Sequence, residues 1–383
     1  MRKSFLLIVL VLSLISLQIS AQTWSAPQRL TWNGGESDYP AIAVDPGNRI
    51  HVVWQDDSPG NCEIFYKHST NAGVTWSSPV RLTWNSYSSN YPFIAADTGS
   101  GIHVVWGNDT DGYPNIFYKR SANSGATWSS PTRLTWGDDC ETPIITIDQG
   151  GILHVVWQGY YLGNWQILYK RSTNGGTSWS ALKPLTWNAS GSYYPYIASG
   201  SGNQVHVAWC RDDSFMSLYE IYYKRSTDSG QTWAGVNRMT WNTKGSYYPV
   251  IDTDTGNGVY MVWHDYMPGQ PEIYLKRSTD LGSTWQGLQR LTWNGVASEC
   301  PAIAADSGSG IHLVWAEVRL SNYDIYYKSS TNSGAAWSSP TRLTWNTGRS
   351  FVPRIAVDSG GGAHVVWRDE TPGNPEIYYK NRK

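Results

Sequence analysis

An eight-residue pattern, Ser-x-Asp/Asn-x-Gly-x-x-Trp, occurs six times in this chain and constrains its fold more than any other feature. The Asp or Asn side chain accepts a hydrogen bond from the backbone two residues further on and closes a tight turn. The glycine reaches the positive φ angle that such a turn needs. The Trp begins the next strand and anchors the turn by burial. The copies span residues 69–76, 121–128, 172–179, 226–233, 278–285 and 330–337.

Three series of tryptophans run in step with this pattern, at intervals of 51 to 54 residues, and account for 21 of the 22 Trp in the chain. A period near 50 residues is typical of repeat arrays and propellers. We therefore expect most of these indoles to be structural. The series are Trp24, Trp76, Trp128, Trp179, Trp233, Trp285, Trp337; Trp32, Trp84, Trp136, Trp187, Trp241, Trp293, Trp345; and Trp54, Trp106, Trp157, Trp209, Trp263, Trp315, Trp367.

Each unit contains four short segments rich in β-branched and aromatic residues and bounded by Gly, Pro, Asn, Asp or Ser. No segment has a helical period. Four strands per repeated unit is the pattern of a propeller blade. In the second unit the predicted strands are residues 91–97, 102–106, 115–119 and 128–136.

Seven prolines at the start of a first strand predict seven blades. Residues 24–32 read as a fourth strand without the preceding three, and residues 376–380 as a third strand without a fourth. We therefore expect an all-β, seven-bladed propeller of four-stranded antiparallel blades, in which residues 24–32 complete the last blade and remove the free edges of an open array. An open solenoid is the alternative. The prolines are Pro40, Pro92, Pro143, Pro195, Pro249, Pro301 and Pro353.

The repeated pattern resembles the Asp-box, or bacterial neuraminidase repeat, of sialidase-like β-propellers. The resemblance implies the fold but does not select an activity, because one fold hosts many functions. Asp-box propellers outside the sialidases include glycan hydrolases, sorting receptors and photosystem assembly factors. The sialidase Arg-Ile-Pro motif upstream of the first box is absent, since residues 39–43 read Tyr-Pro-Ala-Ile-Ala. Sialidase catalytic domains also usually have six blades.

The amino terminus has the pattern of a secretory signal peptide, with Arg2 and Lys3 before an apolar run over residues 5–17 and small residues near Ala21. The run is shorter than the roughly 20 residues that a membrane-spanning helix needs. We expect cleavage after Ala21, a secreted or periplasmic protein, and a monomeric propeller over residues 22–383. The net charge of −1 gives no general case for a nucleic-acid partner.

Repeated polar residues are expected to serve the structure, with no metal and no cofactor. A histidine recurs at one position in six units, and Tyr260 replaces it in another; a position that accepts either ring indicates burial with one hydrogen bond. Rows of Lys and Arg on the third and fourth strands are expected to be edge charges with packed stems. The four cysteines have no metal-type spacing and are expected to be thiols, with pairing of some of them in an exported protein as the alternative. These are His51, His103, His154, His206, His312 and His364, and Cys62, Cys140, Cys210 and Cys300.

The loops after the second and fourth strands are expected to share one face, with the boxes on the other. Their aromatic residues beside Asn, Ser and Asp suit sugar rings, and several weak sites together bind a multivalent glycan by avidity. The first hypothesis is therefore a glycan-binding module. Its candidate ligand-binding residues are Trp187, Tyr194, Trp241, Tyr248, Arg211, Asp212 and Asp265.

A second hypothesis is a glycosidase of the exo-sialidase type with an arginine-lined axial site. The resemblance implies three arginines that clamp a carboxylate, since the guanidinium fork binds a carboxylate in bidentate fashion. It also implies a Tyr–Glu nucleophile pair and an Asp that acts as acid/base. No catalytic residue transfers by motif. The candidates are Arg354, Arg319, Arg368, Glu317, Asp369 and Tyr266. Arg354 is expected near the axis, because it replaces the Ala, Phe, Ile, Tyr or Val of the other innermost strands. A third hypothesis is a scaffold for an extracellular protein partner.

Overall fold

The computed structural model describes residues 23–137, 139–187, 189–213, 218–319 and 322–382. These residues form seven four-stranded antiparallel sheets around one axis, as the repeat predicts. A short 3-10 helix, Thr110–Gly112, interrupts one loop. The predicted signal peptide, residues 1–21, lies outside the described residues. Within the described ranges, no helix is both long and apolar enough to cross a membrane.

Strands are numbered in chain order, and each blade runs from an innermost to an outermost strand. The innermost strands, which contact one another around the axis, are β2 (Ser37–Val44), β6 (Ser89–Ala96), β10 (Cys140–Ile147), β14 (Ser192–Ser199), β18 (Ser246–Thr253), β22 (Ser298–Ala305) and β26 (Ser350–Val357). The second strands are β3 (Ile50–Asp56), β7 (Ile102–Asn108), β11 (Leu153–Tyr161), β15 (Val205–Asp212), β19 (Val259–Asp265), β23 (Ile311–Arg319) and β27 (Ala363–Asp369). The third strands are β4 (Glu63–Ser69), β8 (Asn115–Ser121), β12 (Asn164–Ser172), β16 (Tyr219–Ser226), β20 (Glu272–Ser278), β24 (Asn322–Ser330) and β28 (Glu376–Arg382). The outermost strands are β5 (Val80–Arg81), β9 (Thr132–Arg133), β13 (Lys183–Pro184), β17 (Asn237–Arg238), β21 (Gln289–Arg290), β25 (Thr341–Arg342) and β1 (Gln28–Arg29).

The ring closes where the sequence predicts. Strand β1 pairs antiparallel with β28, so blade 7 consists of β26, β27, β28 and β1. Trp24 adds an isolated bridge to Arg382. The closure also carries an ion pair, because Arg29 Nη2 lies 2.6 Å from the buried Glu376 carboxylate. The outermost strand is shorter than expected, with two residues in the ladder rather than nine.

The apolar core lies between neighbouring blades. Around the closure, for example, Trp54 and Val52 of blade 1 pack with Leu30 and Ile377 of blade 7. The seven Trp of the Trp54 series are at most 2 % exposed, which confirms that they are structural. Burying one such side chain contributes on the order of 2–3 kcal/mol, so each interface between blades is a large part of the stability of the fold.

The repeated lysines are not edge charges, and this expectation was wrong. Lys67 is buried, and its Nζ donates a hydrogen bond of 2.7 Å to the Leu30 carbonyl of the preceding blade. Burial lowers the pKa of Lys67. The same bond recurs in the other blades from Lys119, Lys170, Lys224, Lys276, Lys328 and Lys380.

The Asp-box turns lie at the opposite end of the propeller from the loops after the second and fourth strands. Their geometry differs from the expectation in one detail. Asn71 Oδ1 accepts a hydrogen bond from the Thr75 amide, four residues further on rather than two. Gly73 has φ +82°, as predicted. A methyl group on Gly73 would also overlap the ring of Tyr379 in the preceding blade. The box glycine is therefore required both by the turn and by the interface between blades.

Candidate functional site

The loops after the second and fourth strands lie at the same end of the propeller. Asp38, at the start of an innermost strand, pairs with Gln55, at the end of a second strand, so the loops attached to both strands project together. The boxes lie at the opposite end. There they contact the turns between first and second strands, as in the hydrogen bond from the Ser124 amide to the Ser100 carbonyl. At the loop end, the innermost strands surround an axial cavity of about 790 Å³.

A backbone distortion places seven side chains in the cavity wall. In each innermost strand, the ladder shifts register across the residue before the first-strand proline. That residue has a left-handed φ of 48–53°, which costs energy in a residue other than glycine and is typical of functional sites. All seven residues line the cavity: Tyr39, Tyr91, Thr142, Tyr194, Tyr248, Cys300 and Val352.

One part of the wall is aromatic. The rings of Tyr194 and Tyr248 lie 4.4 Å apart. His264 lies behind them, with its ring centroid 5.4 Å from that of Tyr248 and 5.7 Å from that of Tyr266. Burial lowers the pKa of His264 to about 4, so its imidazole is neutral at pH 7. This part of the wall therefore offers flat, uncharged ring surface.

The remaining wall carries carboxylates. Glu141 and Glu299 both line the cavity, and burial raises the pKa of each carboxyl group. Glu141 accepts a hydrogen bond of 3.2 Å from Gln158. Beside the cavity, Asp38 lies 3.7 Å from Arg368, and burial raises the pKa of the Asp38 carboxyl despite that arginine.

Arg354 is a cation of the cavity wall that lacks an acidic partner among the described residues. Its Nη1 donates a 3.2 Å hydrogen bond to the carbonyl of Pro353. Among the described residues, no carboxylate lies within ion-pair distance of its guanidinium. Arg354 lines the cavity on innermost strand β26, as predicted from its replacement of an apolar residue. It is therefore available to an anionic group of a ligand.

The structure brings together four of the residues singled out from the sequence. Tyr194, Tyr248, Tyr266 and Arg354 all line the axial cavity. Arg368 lies at its edge, bound to Asp38 and, at 2.9 Å, to Glu370.

Trp187 and Trp241 are not in the cavity. Both follow an outermost strand and are 68 % exposed at the outer rim of the loop face. Each of these loops thus has its Trp at the rim and its Tyr at the axis, which separates Trp187 from Tyr194 and Trp241 from Tyr248.

The three arginines of the sialidase hypothesis do not form one clamp. Arg319 Nε binds Glu317 at 2.6 Å, and its guanidinium lies over the ring of Tyr326, away from the residues that line the cavity. Arg368 is engaged by its own carboxylates. Only Arg354 of the three lines the cavity.

The other acidic candidates serve the loops. Asp369 accepts hydrogen bonds from Asn346, Ser350 and Trp367, and Asp265 accepts the equivalent bonds in its blade. Glu317 occupies the same position and binds Asn294 and Arg319.

The remaining two candidates, Arg211 and Asp212, lie at the end of strand β15. Arg211 lies 4.0 Å from the ring of Tyr222 and 2.8 Å from Asp213. Asp212 has one buried oxygen without a hydrogen-bond partner among the described residues.

Sequence reasoning missed Glu141 and Glu299. Both stand two residues before the first-strand proline, where the chain otherwise has Asp38, Asn90, Tyr193, Tyr247 and Phe351. In a repeat this uniform, a variable position is the signal that could have found them.

Metal binding has no such support: within the described ranges, no group of three or more His, Cys, Asp or Glu residues could hold an ion. The four cysteines, all within the described ranges, form no disulfide.

Solved structures share the fold of this chain at low sequence identity. A PL25 ulvan lyase, a polysaccharide lyase bound to a GlcA–Rha3S saccharide, matches with a TM-score of 0.65 and 9 % identity over 91 % of this chain and 94 % of its own. The α-L-arabinanase of Penicillium chrysogenum, complexed with arabinobiose, matches at 0.55 and 14 % over 94 % and 98 %. The NanB sialidase of Streptococcus pneumoniae matches at 0.51 and 13 % over 93 % and 70 %.

Among proteins with curated descriptions, none matches this chain. The family model of the BNR repeat-like domain matches residues 62–262, which is more than half of the sequence. The repeated boxes, the seven closed blades and this match agree. The chain belongs to the BNR repeat-like family and has the sialidase-like β-propeller fold.

Proposed function

We propose that this protein binds a glycan in its axial cavity, and that the ligand carries an acidic group. The observation that carries the proposal is that one cavity wall contains both a pair of contacting tyrosine rings and an arginine without an acidic partner. Tyr194 and Tyr248 offer ring surface to the C–H face of a sugar, and Arg354 offers a bidentate donor to a carboxylate or sulfate. The volume of about 790 Å³ suits a short oligosaccharide.

Comparison with solved structures supports the same class of ligand. The lyase, the arabinanase and the sialidase named above all act on glycans, and two of them are described with a saccharide bound. Export through the amino-terminal segment is part of the proposal, because extracellular polysaccharides are then within reach. It is tested by sequencing the amino terminus of the protein recovered outside the cytoplasm, which should begin at Gln22.

A glycoside hydrolase is the second candidate, and one observation favours it. Glu141 and Glu299 line the same cavity with raised pKa values. A carboxyl group with a raised pKa is what the general acid in glycoside hydrolysis requires. Reducing-sugar release from acidic polysaccharides by the native protein, lost in Glu141→Gln or Glu299→Gln, would establish this activity in place of binding alone.

The binding proposal is tested with purified residues 22–383 on an array of acidic and neutral glycans. Binding to acidic glycans should fall at least tenfold in Arg354→Ala and in Tyr194→Ala. Arg49→Ala, on the opposite face, is the matched control and should bind normally. Equal binding by all four proteins, or no glycan binding together with capture of a protein partner, would replace the proposal with the scaffold hypothesis.

A further inference from the structure

Seven exposed indoles form a ring at the outer rim of the loop face. Each lies three residues after the end of the outermost strand of one blade. Each is 66–68 % exposed, although Trp is a residue that folding usually buries to a large extent. The lining of the axial cavity changes from blade to blade, whereas this position is the same in all seven. The ring consists of Trp32, Trp84, Trp136, Trp187, Trp241, Trp293 and Trp345.

Cationic side chains of the protein lie against the indole in six of the seven blades. Lys276 Nζ lies 5.5 Å from the ring centroid of Trp241, and Arg238 Cζ lies 5.9 Å from it. The lysine is itself held by its 2.8 Å hydrogen bond to the Met239 carbonyl. A lysine lies within 5.2–5.7 Å of the indole in six of the seven blades. These indoles are therefore pre-organised, which lowers the entropy cost of binding a ligand.

A groove accompanies the indole. Beside Trp241, a cavity of about 400 Å³ runs across to the next blade, where Met267, Trp285 and Leu288 line it. The Leu288 position is apolar and exposed in every blade, so the same pair of apolar surfaces recurs around the rim. The residues at that position are Pro27, Pro79, Pro131, Leu182, Val236, Leu288 and Pro340.

The size and spacing of these surfaces favour a sugar over a protein. Each site offers one indole and one small apolar side chain, far less than the roughly 800 Å² that each partner of a stable protein complex buries. A pyranose with equatorial substituents presents a flat C–H face of about the size of an indole, and its hydroxyl groups remain in water. A ligand that repeats the same unit also matches a site that repeats seven times.

We propose that the rim is a heptavalent binding surface for a neutral, β-linked polysaccharide of gluco configuration. Each groove holds one or two sugar units weakly, and the chain or its neighbours in a fibre engage several grooves at once. Linked weak sites gain a large factor in avidity without any new contact. The rim is separate from the axial cavity and does not depend on the function proposed for it.

The first test is affinity electrophoresis of residues 22–383 in gels that contain hydroxyethylcellulose or glycol chitin. The native protein should be retarded. Replacing Trp241 with Ala should weaken the apparent affinity by less than threefold, and replacing Trp32, Trp136, Trp241 and Trp345 together should weaken it by more than tenfold. Arg354→Ala, which alters only the axial cavity, is the matched control and should be retarded normally.

The second test needs no variant. Titration of the native protein with cellohexaose and with chitohexaose, followed by calorimetry, should give a stoichiometry well above one for the ligand that binds. Absence of retardation in both gels, normal retardation of a folded four-Trp variant, or a stoichiometry of one that Arg354→Ala abolishes would each overturn the proposal. The last result would assign binding to the axial cavity instead.

Discussion

The Nδ1 atom of His51 lies 2.7 Å from the hydroxyl oxygen of Tyr66, and both side chains are fully buried. His51 Nε2 lies 3.3 Å from the Asp45 carboxylate, so this nitrogen donates and Nδ1 accepts the proton of Tyr66. The ring is thus buried as the sequence predicts, but with two hydrogen bonds rather than one. The His–Tyr bond recurs in five other blades, at 2.7–2.8 Å.

These histidines predict that the propeller loses stability in mild acid. Burial lowers the pKa of His51 and of His312 to about 4, and that of His206 to about 3. Between pH 6.5 and those values the unfolded chain binds protons that the folded chain does not, so the free energy of unfolding falls as pH falls. Each such histidine lowers the free energy of unfolding by about 1.4 kcal/mol for each pH unit in this window.

Urea denaturation between pH 7.5 and 4.5 checks this expectation. The free energy of unfolding should be constant above pH 7. Below pH 6.5 it should fall with a slope that corresponds to the uptake of several protons on unfolding. A flat profile down to pH 5 would show that the imidazoles are charged in the folded state.

Blade 4 lacks one member of this arrangement and offers a stabilising substitution. Gly200 stands where other blades have an aspartate, and His206 Nε2 is buried without a hydrogen-bond partner among the described residues. A Cβ at Gly200 would lie 3.4 Å from that nitrogen, and Gly200 does not have a positive φ. Gly200→Asp should therefore supply the missing acceptor, stabilise the protein by about 1 kcal/mol at pH 7 and raise the pKa of His206.

Gly200→Ala is the matched control, because it adds the same Cβ without the carboxylate. Thermal or urea denaturation should rank Gly200→Asp above both the control and the native protein, and the His206 resonance should titrate at higher pH. Equal stability of the two variants would mean that the new carboxylate does not reach the imidazole.

The box glycines allow the contact between blades to be separated from the turn. Gly125 has φ +87°, and a methyl group there would overlap the hydroxyl of Tyr66 in the preceding blade. Gly334 has a similar φ of +76°, but faces Leu275, which replaces the tyrosine, with 3.4 Å of space. Gly334→Ala should cost about 1–2 kcal/mol from backbone strain alone. Gly125→Ala should cost a further 1–3 kcal/mol from overpacking.

Chemical denaturation of the two variants at pH 7.5 measures this difference. The far-UV circular dichroism of both should match the native protein if the fold is retained. If the two substitutions cost the same, Tyr66 moves aside freely, and the glycine is required only by the turn.

The architecture could be predicted because its signal is periodic. A Trp or Pro that recurs every 51–54 residues fixes the blade length, and the phase of the first and last segments fixes the closure. The environment of Lys67 could not be predicted in this way. Its partner is the Leu30 carbonyl, 37 residues earlier and in another blade, and no local pattern distinguishes a buried lysine that reaches such a group from one at a strand edge.

The candidate site was predictable only in part, for a related reason. Arg354 was found because it breaks an apolar column of the repeat. Glu141 and Glu299 point into the cavity because a register shift in the innermost strand turns that segment toward the axis. Alternation along an ideal strand does not contain that shift. Trp187 and Tyr194 were predicted to form one site because they are seven residues apart, but the connecting loop crosses from the rim to the axis.

Because the amino-terminal strand β1 closes the ring, we expect the fold to require this strand but not its position at the start of the chain. Deleting residues 23–33 would remove the partner of β28 and uncover the core around Leu30, which is 2 % exposed. It would also leave the buried Glu376 carboxylate without Arg29. We expect a loss of at least 3–5 kcal/mol, since removing one partner of a buried ion pair is already this costly, and self-association through the open strand edge.

A circular permutant provides the matched comparison. Trp24 bridges Arg382, so a short linker after the carboxyl terminus can lead back into residues 23–33, with the new amino terminus at Glu36. Blade 7 then forms from consecutive strands, like the other six. Its midpoint of urea denaturation should lie close to that of the native protein, and it should be monomeric by sedimentation, whereas the deletion variant should be destabilised and associated. A deletion variant as stable and monomeric as the permutant would show that β28 tolerates an open edge and that β1 does not hold the ring together.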